Sequence, residues 1–406
     1  MKYLSPFWLS LLCAIAIVIP TNAANGFLDN SVNDIVLMYY GQNLRKKWNV
    51  NQVSHFVTHT YKDGHTDWLF PAFLYLEFSI KDKDITLAPG YAKNAATKND
   101  WEWLIDRYFA KNQGLDALNT AIQNAKSKLG EPPFRHKVIL GIPTPIKNQT
   151  NWGRTSRKLN FKKANDRLEA LYWFIDQLVI RFNEANYRNI ELEGLYWVDE
   201  DMHAGGELFP ALSNKIHQYG LNFYWIPYFG AYGRDTWKQY GFDYAYLQPN
   251  YFFNKDVPKS RLQEACSVAK RNGLALELEF DEQHFTKKDI FGKRLKEYLD
   301  VYEKNGVFED CPLTYYCGNH AFLQLSQSRE PQDIQLIDRM ASLIANRNAK
   351  MGAQTTVNAS QSTYPGGETN KPSETKQQDQ KQEESTTRPS LMQQLLNLLN
   401  PEYWHF

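Results

Sequence analysis

Between residues 34 and 346 the chain alternates two patterns. Short, nearly continuous apolar runs suit strands buried on both faces, and segments whose apolar residues return every three or four positions suit amphipathic helices. Eight strands are predicted, at residues 35–40, within 69–78, and at 137–142, 192–198, 222–228, 243–248, 274–280 and 312–316. Helical spacing is clear at Leu168, Leu171, Ile175, Leu178 and Phe182, at Leu262, Ala265, Cys266 and Ala269, and at Leu295, Leu299 and Tyr302. Ile334, Ile337, Ala341 and Ile344 follow the eighth strand and predict a closing helix. Gly273 and Gly306 stand just past two of these helices, where a left-handed cap belongs. Residues 50–60 show little periodicity, and the long stretch after Phe78 predicts an insertion. Strands alternating with helices make a parallel sheet, and eight of them make an α/β fold of the (β/α)8 TIM barrel class, assigned here to residues 24–350.

The two ends follow other patterns. Lys2, an apolar run over residues 7–19, Pro20 and the small residues before Ala23 predict a signal peptide at 1–23 and therefore export, to the periplasm, the cell surface or the medium. Residues 351–389 are polar and nearly lack large apolar groups, which predicts a disordered linker. Residues 390–406 carry Leu391, Leu395, Leu398 and Leu399 on one face and predict a short amphipathic helix that docks on the barrel, on a protein partner or on a membrane surface. No segment after the signal is long and apolar enough to cross a membrane.

Composition narrows the partners. A formal net charge of +1 gives no reason to expect nucleic acid. Aromatic residues reach 14%, enough to fill a core and still supply rings to a sugar-binding cleft. Without Cys13 the mature chain keeps Cys266, Cys311 and Cys317, no disulfide framework. Cys311 and Cys317 flank the eighth strand, too far apart to bond to each other, and Cys266 reads as a core thiol. No metal-ligand spacing and no cofactor motif emerges.

Active sites of such barrels lie at the carboxyl ends of the strands. The fourth strand runs into Trp197-Val198-Asp199-Glu200-Asp201 and the seventh ends in Glu277-Leu278-Glu279. Two carboxylates facing each other across the mouth are what glycoside cleavage needs, one to protonate the leaving oxygen and one to act as nucleophile or base. Tyr40, Trp197 and Tyr228 offer rings, and Gln248 and Asn250 offer hydrogen bonds to hydroxyls. The alternative for Glu77, Glu277 and Glu279 is a structural one, buried acids paired with Lys or Arg.

The run Asn33-Asp34-Ile35-Val36-Leu37-Met38-Tyr39-Tyr40-Gly41 resembles the start of a bacterial family known as domain of unknown function 4855, as do Trp68-Leu69-Phe70 and Phe73-Leu74-Tyr75-Leu76-Glu77-Phe78. Gly194-Leu195-Tyr196-Trp197 with Glu200, and Glu277-Leu278-Glu279-Phe280-Asp281, resemble its later blocks. That family is similar to glycoside-hydrolase barrels and occurs in exported proteins of polysaccharide-degrading bacteria. The placing of acids on the fourth and seventh strands also resembles the largest superfamily of retaining glycosidases, which usually has Asn where this chain has Asp199. The resemblance implies an exported glycoside hydrolase acting on a poly- or oligosaccharide. Glu200 is expected as acid/base and Glu279 as nucleophile. Tyr40, Glu77, Trp197, Asp199, Tyr228, Gln248, Asn250 and Glu277 are expected to hold substrate. The rival is a non-catalytic carbohydrate-binding or surface assembly barrel.

Overall fold

The structure is a computed structural model that describes residues 26–28, 32–41, 45–203 and 205–361, with backbone alone from 351. The signal peptide (1–23), most of the linker and the terminal amphipathic helix lie outside the described residues.

Eight parallel strands close into a barrel. They are β1 (Asp34–Tyr39), β2 (Ala72–Leu76), β3 (His136–Ile142), β4 (Ile190–Trp197), β5 (Asn222–Trp225), β6 (Tyr244–Leu247), β7 (Ala275–Glu279) and β8 (Leu313–Tyr316), each paired with its sequence neighbours. Pairing of β1 with β8, beginning at Asp34 opposite Leu313, closes the circle. All eight predicted strands are present. The fifth is shorter than its apolar run, because Pro227 has no N–H to give to a ladder.

Around the barrel lie α1 (Val50–Val57), α2 (Lys98–Tyr108), α3 (Gly114–Leu129), α4 (Ala164–Ala185), α5 (Phe209–Gln218), α6 (Ser260–Asn272), α7 (Arg294–Lys304) and α8 (Pro331–Gln361). The stretch at 50–60, where little periodicity was expected, forms α1: Val53, Phe56 and Val57 make a buried stripe, and Asn49 and Gln52 make a reciprocal capping box, at 3.0 and 3.1 Å. Gly273 adopts the left-handed conformation (φ 59°) that ends α6, as its position predicts. Among the described residues, β5 is followed only by a 3-10 turn, Trp237–Tyr240, before β6. The insertion after β2 folds into three short strands, Ser79–Ile80, Ile85–Thr86 and Asn94–Ala95, which stand at the carboxyl end of the barrel. Helix α8 runs to Gln361, eleven residues beyond the expected barrel boundary at 350. The first strong breakers come only at Pro365-Gly366-Gly367.

The amino end of the barrel is plugged by an ion pair. Arg347 of α8 donates to Asp34 Oδ2 at 2.8 Å and to the carbonyls of Asn33, Val307, Phe308 and Cys311. The Tyr315 hydroxyl donates to Asp34 Oδ1 at 2.6 Å. Every strong polar group of this buried cluster therefore has a partner, which is what makes a buried charge tolerable. Cys266, Cys311 and Cys317 are buried free thiols, with Cys311 and Cys317 beyond opposite ends of β8.

Candidate active site

Strand side chains alternate faces, so in a barrel every second residue points inward. Leu37 and Tyr39 of β1, Tyr196 of β4 and Glu277 and Glu279 of β7 line a cavity of about 470 Å³ at the carboxyl end. Glu200, three residues past β4, joins them, with Gln248 and Asn250 from beyond β6. Five of the expected site residues thus meet in one place: Glu200, Gln248, Asn250, Glu277 and Glu279.

A hydrogen-bonded chain links the two principal acids. Gln248 Nε2 donates to Glu200 Oε1 at 2.9 Å and to the Ile226 carbonyl at 3.1 Å. Asn250 Nδ2 donates to Gln248 Oε1 at 2.9 Å and reaches Glu279 Oε1 at 3.4 Å. The Tyr298 hydroxyl of α7 donates to Glu279 Oε2 at 2.5 Å. Asn250 itself has φ 51°, a strained conformation that asparagine tolerates better than most residues, and its Oδ1 accepts from the Phe229 N–H at 2.6 Å. Below Glu279, Glu277 Oε1 accepts from Thr314 Oγ1 at 3.1 Å.

Burial raises all three of these acids. Burial, then the neighbouring Glu279 and Glu200 carboxylates, push the Glu277 carboxyl well above the ordinary range. Burial pushes Glu279 up to about 8, opposed by the Tyr298 hydroxyl and by the backbone of Tyr251 and Asn250. Burial raises Glu200, opposed by Gln248. Among the described residues none of these three carboxylates pairs with Lys or Arg.

Glu77 fits the structural alternative. Arg45 grips it with Nε at 3.1 Å and a second nitrogen at 3.2 Å, and lies 4.5 Å over the Tyr39 ring. Glu77 is buried outside the cavity wall and acts on the site by holding Arg45, which does line it. Two further expectations need correcting. Tyr40 and Trp197 are fully buried and face outward, Tyr40 toward Tyr75 and Arg107, and Trp197 edge-on to Phe209 of α5 at 5.0 Å. The rings that face the cavity are their neighbours by one residue, Tyr39 and Tyr196. Asp199 and Tyr228 stand beside the cavity rather than in its wall. Burial lifts the Asp199 carboxyl to about 7, and the Tyr228 hydroxyl donates to Asp201 at 3.2 Å.

Several lining residues were not foreseen. Five rings form a continuous arc along one side: Tyr91 stacks on Phe78 at 4.3 Å, Phe78 meets Tyr39 at 5.8 Å, Tyr39 meets Tyr316 at 5.6 Å, and Tyr316 meets Phe253 at 5.3 Å. Tyr91 comes from the insertion, whose sequence gives no periodic signal, and Phe78 is the residue that leads into it. Tyr298 was foreseeable, since it continues the inner stripe of Leu295, Leu299 and Tyr302. Asp281 and Glu282 also line the cavity, and Glu282 holds the loop after β8 by accepting from the N–H groups of Asn319 and His320 at 2.9 and 2.7 Å.

Residues 34–342 match the family described as domain of unknown function (DUF4855). The chain belongs to that family. The matched span opens with β1 and closes inside α8, so it takes in all eight barrel strands. A search of curated proteins gives no match. Solved structures similar to the chain include a mutant tryptophan synthase alpha-subunit from Pyrococcus furiosus, at TM-score 0.37 and 9% identity over 78% of this chain and 99% of that one. The tryptophan synthase subunit alpha of Legionella pneumophila follows at 0.37 and 12%, over 78% and 93%. The endo-1,4-beta-D-mannanase of Thermotoga petrophila RKU-1 is similar at 0.35 and 12%, over 71% and 88%. At these scores none of them bears on what this chain does.

Proposed function

We propose that the chain is an exported glycoside hydrolase, with Glu200 as general acid and Glu279 as nucleophile. The observation that carries this reading is the hydrogen-bonded chain Glu200–Gln248–Asn250–Glu279 at the barrel mouth, free of cationic partners and faced by aromatic rings. Glycoside cleavage asks for one carboxyl that keeps a proton and one that has lost it. Burial with a single amide donor suits Glu200 to keep its proton. Glu279 accepts from a phenol, an amide and the backbone, which oppose the burial that lifts it to about 8, so it takes the ionised form as pH rises toward that value. Neutral Glu277 beneath it keeps a second negative charge out of the site.

In this scheme the Glu200 proton passes to the glycosidic oxygen as the bond to the anomeric carbon breaks. The Glu279 carboxylate supplies the electron pair to that carbon, and water then attacks the same carbon, giving its proton to Glu200 and releasing the Glu279 carboxylate. Release of reducing ends across a broad panel of glycans, by the parent and by Glu200→Gln and Glu279→Gln, tests the proposal. Cleavage by the parent, with rates at least about a hundredfold lower in both variants, is expected. Binding without cleavage by the parent would instead make this a carbohydrate-binding barrel.

A further inference from the structure

Among the described residues only four aromatic side chains are largely exposed: Tyr91 at 43%, Tyr228 at 38%, Tyr232 at 56% and Phe253 at 36%. All four lie in segments that follow the carboxyl ends of strands: Tyr91 after β2, Tyr228 and Tyr232 after β5, and Phe253 after β6. The opposite end of the barrel has none among the described residues. A core with rings to spare would scatter them, whereas these surround one mouth.

They form two platforms with Glu200 between them in strand order. On the β2 side, Tyr91 lies flat on Phe78, with an interplanar angle of 8°, so one face is spent and the other is open. On the β5 side, Asp201 is the anchor. Its Oδ2 accepts from the Tyr228 hydroxyl at 3.2 Å and from the Tyr232 N–H at 3.0 Å, and its Oδ1 accepts from the His203 N–H at 2.8 Å. The His203 and Tyr232 rings then meet at 4.5 Å. Rings fixed in this way lose little entropy when a ligand stacks on them. A site that took only a chain end would need one such platform and a closed far side.

We infer that an extended polysaccharide crosses the mouth from the Tyr91 platform to the Tyr228–Tyr232 platform, so that the bond over Glu200 and Glu279 is an internal one. This rests on the proposed hydrolase reading and adds the form of its substrate. Two measurements on the full mature chain test it. The first is migration in native gels containing hydroxyethyl cellulose, galactomannan, xylan or a soluble β-1,3-glucan. The second is the ratio of viscosity loss to new reducing ends on any polymer that is cleaved. Retardation by a polymer is expected, weakened roughly tenfold in apparent affinity by Tyr91→Ala and separately by Tyr232→Ala, and restored by Tyr232→Phe. Viscosity should fall before many ends appear. Cleavage that releases only mono- or disaccharides at constant viscosity would overturn the inference and leave the hydrolase standing. So would retardation that neither variant weakens. Platform-dependent retardation with no cleavage of any glycan would sustain the crossing chain and overturn the hydrolase.

Discussion

Glu277 sits two residues before Glu279 on the same inward face of β7, and the pair shows how much a single residue step decides in a barrel. The Glu-x-Glu spacing was legible in the sequence because alternation puts both acids inside. The same alternation decides between Tyr39 and Tyr40 and between Tyr196 and Trp197, and there the sequence is ambiguous, since both members of each pair are aromatic and fully or nearly buried. Glu277 also has a measurable cost. Its folded-state value lies well above the ordinary glutamate value of about 4.3, so the folded protein holds a proton that the unfolded chain releases. That contribution is fully present below about pH 4.3 and is lost as pH rises toward the folded-state value. Glu277→Gln should therefore raise the melting temperature by more at about pH 8 than at about pH 4. Equal differences at the two values would contradict the neutral, buried acid described here. Asp199 gives a second pH test. With its carboxyl lifted to about 7 by burial, above the ordinary aspartate value of about 3.9, its contribution is fully present below about pH 3.9 and is lost as pH rises through about 7. Asp199→Asn should therefore also raise the melting temperature by more at about pH 8 than at about pH 4. Equal differences would contradict the burial described for Asp199.

At the scale of elements, strands were more legible than the segments that join them. A buried strand announces itself through unbroken apolar residues, but α1 spans only about two turns, so its stripe of Val53, Phe56 and Val57 behind the Asn49–Gln52 capping box is too short to stand out. The insertion after β2 is held by short strand pairs and by Phe78 stacking on Tyr91, contacts between residues that no periodicity connects. Tyr298 was foreseeable as part of the packed stripe of α7, from which its hydroxyl reaches Glu279. The plug at the amino end makes an element-scale prediction. Arg347 on α8 makes five hydrogen bonds and neutralises Asp34, which is fully buried. Arg347→Ala leaves that carboxylate unpaired and should destabilise the fold by about 3–5 kcal/mol, measured by urea unfolding. Asp34→Asn in the same background should recover part of the loss, because it removes the stranded charge. A loss below about 1 kcal/mol would mean that α8 is not required to close the barrel.

For the whole molecule, the two ends of the barrel divide the work. The amino end spends its polar groups on one another, as Asp34, Tyr315 and Arg347 do, and holds α8 in place. Among the described residues the carboxyl end leaves Glu200, Glu277 and Glu279 without an ion pair to Lys or Arg and surrounds them with rings, at some expense in stability. Strain at a mouth supported by a well-satisfied base is the pattern expected of a working site. That Glu200 and Glu279 cleave glycosidic bonds is tested most directly by the leaving-group dependence of hydrolysis, on whichever glycan the parent cleaves and on the matching aryl glycoside. Glu200→Gln should be slowed by at least about a hundredfold on the glycan and much less on the aryl glycoside, whose leaving group needs little protonation. Glu279→Gln should be slowed on both alike. Parental rates in both variants would contradict the assignment and move the chemistry away from this pair.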